Sequence, residues 1–245
     1  MNVKRYSGGW TEEWIVGVDL KLWQFWQHGN FGNSFCASLF MKRMKSLTKP
    51  ADGTLVQIID AALAEATRKS GQWLACRPGC MQCCVGAFAI TQLDAARLRQ
   101  GLSELAKTDP ARAARIRQRA HASIDRLSAE FPGDLQSGIL DEGEDAEERF
   151  YAFADDEPCP VLDPETGMCD LYATRPITCR VFGPPVRSGP EEALGVCELC
   201  FKGASDEEIA ACEMEVDPDG LEPKLLEDLG DQRRTIVAFA IRDAS

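Results

Sequence analysis

A chain of 245 residues, 44% of them hydrophobic, is long enough to bury a core without disulfide staples. Its eleven cysteines are odd in number and fall well below the roughly 8–10% of a disulfide scaffold, which argues against a disulfide knot. The net charge of −12 is uneven: residues 41–130 hold 15 Lys+Arg against 8 Asp+Glu, and residues 131–245 hold 9 against 28. An acidic chain repels a polyanion, and no aromatic residue interleaves the basic ones between Arg97 and Arg126. The two halves are therefore expected to fold against each other rather than to bind nucleic acid.

Four of the five tryptophans lie within residues 10–26, a composition unlike anything downstream. The run "WIVGVDLKLWQFW" is broken by Asp19 and Lys21, and "FCASLFM" at 35–41 is followed, not preceded, by basic residues. Nothing approaches the ~20 apolar residues of a membrane span. A reducing cytoplasm is the expected compartment, and there clustered cysteines bind metals or do chemistry. Residues 1–43 read either as a Trp-rich accessory segment or as sequence upstream of a natural start at Met41 or Met44; the second reading leaves one cysteine-cluster domain over 44–245.

From there the pattern is helical. Leu55, Ile58, Ile59, Ala62, Leu63 and Ala66 form one apolar stripe, with Thr54 as expected N-cap and Gly71 as stop. Thr91 and Asp94 open a second helix, with Ala95, Leu98, Leu102 and Leu105 on its buried face. Asp109-Pro110 starts a third, carried by Ile116, Ala120, Ile124, Leu127 and Phe131 to Pro132-Gly133, so that the two form an antiparallel hairpin. The acidic stretch 133–157 reads as a solvated loop. A short helix is expected in "SDEEIAACEMEV" and a C-terminal one in "KLLEDLGDQRRTIVAFAI", interrupted in propensity by Gly230. The fold class is mainly α (α+β with a minor hairpin), a helical domain around a cysteine-rich metal-binding core.

Cys76, Cys80, Cys83 and Cys84 are spaced C-x3-C-x2-C-C, and Cys159, Cys169 and Cys179 follow in a second region. "DPETG" carries turn chemistry, so Cys159 and Cys169 are expected to flank a hairpin and face each other. Cys197 and Cys200 form a further C-x2-C pair, whose role the sequence leaves open. Thiolate groups about 75 residues apart repel unless a cation cancels their charge. With only His28 and His121 available, neither near a cluster, the ligands are mostly sulfur, which favours Zn²⁺ or an iron–sulfur cluster. Neighbouring side chains diverge, so Cys84 serves a second metal, lies in the core or stays free. Cys36 and Cys212 are isolated and read as ordinary buried residues.

The motifs "CRPGCMQCC" at 76–84 and "PCPVLDPETGMCDLYATRPITCRVFG" at 158–183 resemble the CxxCxxCC type of zinc- or iron-chelating, YkgJ-like cysteine-cluster proteins. Here x3 stands where the family has x2 between the first two cysteines. The resemblance implies that Cys76, Cys80, Cys83, Cys84, Cys159, Cys169 and Cys179 chelate zinc or iron, or an iron–sulfur cluster. Arg175 and Arg180, bracketing Cys179, read either as outer-shell donors to sulfur that offset the negative charge of a thiolate site, the reading the resemblance favours, or as surface arginines with solvent partners. The resemblance names no reaction. One branch of the resembling family is associated with flagellin lysine N-methylation, but the chain has no Gly-rich strand–turn–helix signature for S-adenosylmethionine. A metal-stabilised adaptor with an acidic docking surface is the third reading, its protein partner unspecified.

Overall fold

The computed structural model describes residues 34–188 and 193–242. The expectations for the tryptophans of 10–26 and for His28 lie outside the described residues, as does the side chain of Cys36. Helix α1 (Ser34–Ser70) runs through Pro50 and Gly53, so Thr54 is not its N-cap. The extension has a cause in packing: Ala51 lies against the core, and Asp52 accepts three hydrogen bonds from the Arg97 guanidinium. The predicted stripe holds, with Leu55, Ile59 and Ala66 fully buried and Ala62 and Leu63 packed beside them.

Helices α2 (Gln92–Thr108) and α3 (Pro110–Leu127) form the expected hairpin. Thr91 caps α2 by accepting from the Asp94 N–H, and Asp109 caps α3 by accepting from the Arg112 N–H, with Pro110 in its first turn. The acidic stretch is more structured than its composition suggests. It holds a two-residue hairpin of β1 (Gly133–Asp134) and β2 (Ile139–Leu140), then α4 (Glu144–Tyr151). Leu140 and Phe153 explain this, because both bury with Phe131 and Phe239 in one apolar cluster.

A 3₁₀ turn (Tyr172–Thr174) and the single-turn α5 (Ile177–Arg180) follow, then the hairpin β3 (Val186–Ser188) with β4 (Ala193–Gly195). Helix α6 (Asp206–Ala210) starts with a complete Ser205/Glu208 capping box. The predicted C-terminal helix is two. Helix α7 (Leu221–Leu229) stops at Gly230, whose φ of 68° closes it with N–H bonds to Leu226 and Glu227. Thr235 then pairs with Ile90 before α8 (Val237–Arg242) begins.

The fold is mainly α, with two short antiparallel hairpins among the described residues. Helices α2, α3 and α8 pack together around Leu98, Leu102, Ile116 and Ile241; α1 and α7 pack around Leu55, Ile59, Met214 and Leu225. Among the described residues no helix is long and apolar enough to cross a membrane.

Candidate metal centre

The cysteine-rich stretch enters through a 3₁₀ turn (Gly71–Trp73) at the end of α1 and folds as two tight turns. The Cys80 N–H donates to Arg77 O at 2.9 Å around Gly79, and the Cys84 N–H donates to Met81 O at 2.9 Å. The chain then lies antiparallel to the approach to Cys159. Val85 bridges Pro158, and the Cys159 N–H donates to Cys84 O at 2.8 Å. Beyond Cys159 the expected turn forms over Asp163–Met168, with Leu162 bridged to Cys169. Its Gly167 (φ 67°) sits on the first stretch so closely that a Cβ there would meet Gly79 O at 3.4 Å.

These pairings gather Cys83, Cys159, Cys169 and Cys179. Cys159 and Cys169 both pack against the α2–α3–α8 core. Burial is the main force holding the Cys159 thiol up at about 12, and repulsion from Cys169 and Cys83 adds to it. Cys179 is raised well above the ordinary thiol range by burial, then by Cys159, Cys169 and Cys83. Cys169 is raised by burial, with Cys83 again a contributor. The Cys83 thiol is raised first by its hydrogen bond with Cys84 and then by burial. Arg175 opposes the rise at both Cys83 and Cys169.

The two arginines therefore divide. Arg175 is a cation near the thiols, and it also lies 3.9 Å over the Tyr172 ring and 3.8 Å from an Asp60 carboxylate oxygen. Arg180, only 2% exposed, faces away. It clasps both Asp60 carboxylate oxygens at 2.6 and 2.8 Å and donates to Ala173 O and Arg175 O. It thus fastens the segment bearing Cys179 to α1. Asp94 fastens the same segment to α2 by accepting from the Ile177 N–H at 2.9 Å. Asp170, 3% exposed beside Cys169, is held by Arg112 and Arg119 of α3. Sequence reading missed the positioning roles of Asp94 and Asp170; a lone acid has no spacing signal.

Cys76 and Cys80 go elsewhere. The Cys76 and Cys200 sulfurs are 4.0 Å apart. Although Cys76 is exposed, partial loss of water around its thiol, then repulsion from Cys200, Cys197 and Cys80, pushes it up to about 12. Cys197 is likewise raised by burial and then by Cys200 and Cys80. Cys212 is buried in the neighbouring apolar cluster, as expected of an isolated cysteine.

The donor chemistry fits zinc or iron: the gathered groups are soft thiols, and the Ala75 N–H donates to Cys200 Sγ at 3.4 Å. As they stand, no three His, Cys, Asp or Glu side chains among the described residues are arranged to hold an ion. No curated protein and no solved structure matches the chain. A family model does, over residues 75–200, a span that begins beside Cys76 and ends at Cys200. The chain belongs to the CxxCxxCC family, described as a "Putative zinc- or iron-chelating domain".

Proposed function

We propose that this protein binds zinc or iron through clustered thiolates, with Cys76, Cys80, Cys83, Cys84, Cys159, Cys169 and Cys179 among its ligands. One observation carries the reading. Cys83, Cys159, Cys169 and Cys179 come from separate segments into one neighbourhood where each resists ionising beside the others, a cost that a bound cation would reverse by stabilising the thiolates. Membership in a family described as chelating supports it. Bound zinc supplies a structural cross-link, whereas an iron–sulfur cluster supplies one-electron chemistry tuned by nearby charge. In either case the chain presents soft donors, Arg175 offsets their excess negative charge, and the α2–α3–α8 core covers one side of Cys159 and Cys169.

Anaerobic purification, elemental analysis and an absorption spectrum test this. About one or two metal ions, or one cluster, per chain are expected. A brown protein absorbing near ~400 nm selects an iron–sulfur centre, and colourless material with stoichiometric zinc selects zinc. Neither metal in fresh material overturns the reading.

A further inference from the structure

We propose that the thiols form two separate four-sulfur sites, Cys76, Cys80, Cys197 and Cys200 taking one divalent cation of the zinc class and Cys83, Cys159, Cys169 and Cys179 taking another. This rests on the chelating reading and adds Cys197 and Cys200 to it. The 4.0 Å between Cys76 Sγ and Cys200 Sγ is close to the ~3.8 Å edge of a tetrahedron with ~2.3 Å zinc–sulfur bonds. Each half of the new site is a tight turn. Cys76 and Cys80 flank the one closed by the Cys80 N–H to Arg77 O, and Cys197 and Cys200 flank one closed by the Cys200 N–H to Cys197 O at 2.8 Å.

The second turn is pinned in place by Phe201. Its N–H donates to Trp73 O at 2.8 Å, its ring stacks on Trp73 at 6.5 Å, and its φ of 53° turns the backbone sharply after Cys200. Gly183 closes the other side. A Cβ there would lie 2.7 Å from Cys76 Sγ, and the φ of 117° at this position is one that glycine adopts without strain. The strongest through-space neighbours of Cys76 are Cys200, Cys197 and Cys80; those of Cys179 are Cys159, Cys169 and Cys83. The two sets share no member. The partition releases Cys84 from the ligand set, its thiol being hydrogen-bonded to Cys83. Rotation about χ1 carries a sulfur ~3 Å, which is the scale of adjustment that ion binding requires of thiols gathered but not converged.

The test uses the full chain reconstituted with zinc alone, with elemental analysis and mass-mapped alkylation. Unaltered protein is expected to hold about two zinc ions per chain. The Cys197→Ser/Cys200→Ser variant should keep one, with Cys76 and Cys80 becoming reactive while Cys83, Cys159, Cys169 and Cys179 stay shielded. Cys159→Ser/Cys169→Ser should give the converse. Should either variant fail to fold, stepwise chelation of unaltered protein should expose the eight thiols in two sets of four. A Cys197/Cys200 variant that keeps all its zinc, or loses all of it with helical circular dichroism intact, overturns the partition. So does exposure of all eight thiols in one step. Unaltered protein that holds one ion only overturns the partition but not chelation; protein that binds neither zinc nor iron overturns both.

Discussion

Asp94 serves two elements at once, taking the Arg97 guanidinium of its own helix and the Ile177 N–H of the segment that bears Cys179. Its burial raises its pKa, and it shares that environment with Glu222 in the first turn of α7. Burial, then repulsion from Asp94, lifts Glu222 to about 7, with Asp217 adding to the rise and Arg97 and the Thr91 hydroxyl opposing it. The folded state therefore binds this proton more tightly than the unfolded chain, whose value is near 4.5. Stability from this group is complete below about 4.5 and is lost as pH rises through about 7. Glu222→Gln should melt like the unaltered protein at low pH and about 3 °C higher at pH 8, the shift of roughly 1 kcal/mol in a domain of this size. Matching melting curves at both pH values would place the Glu222 carboxylate in effective contact with water. Arg180 illustrates the opposite economy: a fully buried cation whose donors meet Asp60 and two carbonyls leaves little unsatisfied, and lysine has no fork to replace it.

Among the elements, those governed by neighbours in sequence were legible and those governed by distant contacts were not. Thr91, Asp109 and Pro110 announce α2 and α3 because caps act over three residues. The C-terminal helix expected from periodicity is two, because Gly230 caps the first and Thr235 is claimed by Ile90, far away in the chain. At the site, the spacing of Cys76 to Cys84 declares soft-metal chemistry, but the approach of Cys200 to Cys76 depends on Phe201 meeting Trp73, which no local pattern encodes. Close packing between elements yields a further expectation. Gly101 of α2 faces the Tyr172–Thr174 turn, and a Cβ there would stand 2.0 Å from Thr174 Oγ1 and 2.9 Å from its Cβ. Rotating the threonine cannot clear both atoms. Gly101→Ala should therefore destabilise by about 1–3 kcal/mol despite alanine's better helix propensity, and Thr174→Gly should restore most of the loss in thermal melting.

The whole molecule joins its basic and acidic halves through ion pairs, Arg112 and Arg119 with Asp170 and Arg126 with Glu157 among them. A chain beginning at Met44 retains the Ala51 packing and the Asp52–Arg97 hydrogen bonds of α1, and it is expected to fold and keep its metal. Circular dichroism and elemental analysis of that truncation check this; loss of soluble protein would assign the Trp-rich segment to the core. One feature of the chain path bears on how the molecule assembles. The contact between Cys76 and Cys200 spans 124 positions, and the pairing of Cys84 with Cys159 lies wholly inside it. These are nested closures. Once the inner one forms, the path from Cys76 to Cys200 shortens to roughly 50 residues, which lowers the entropy cost of the outer by about 1 kcal/mol. Residues 159–179 also leave the ribosome before Cys197, so synthesis and chain entropy favour the same order, inner first and outer second. The molecule closes from the inside outward.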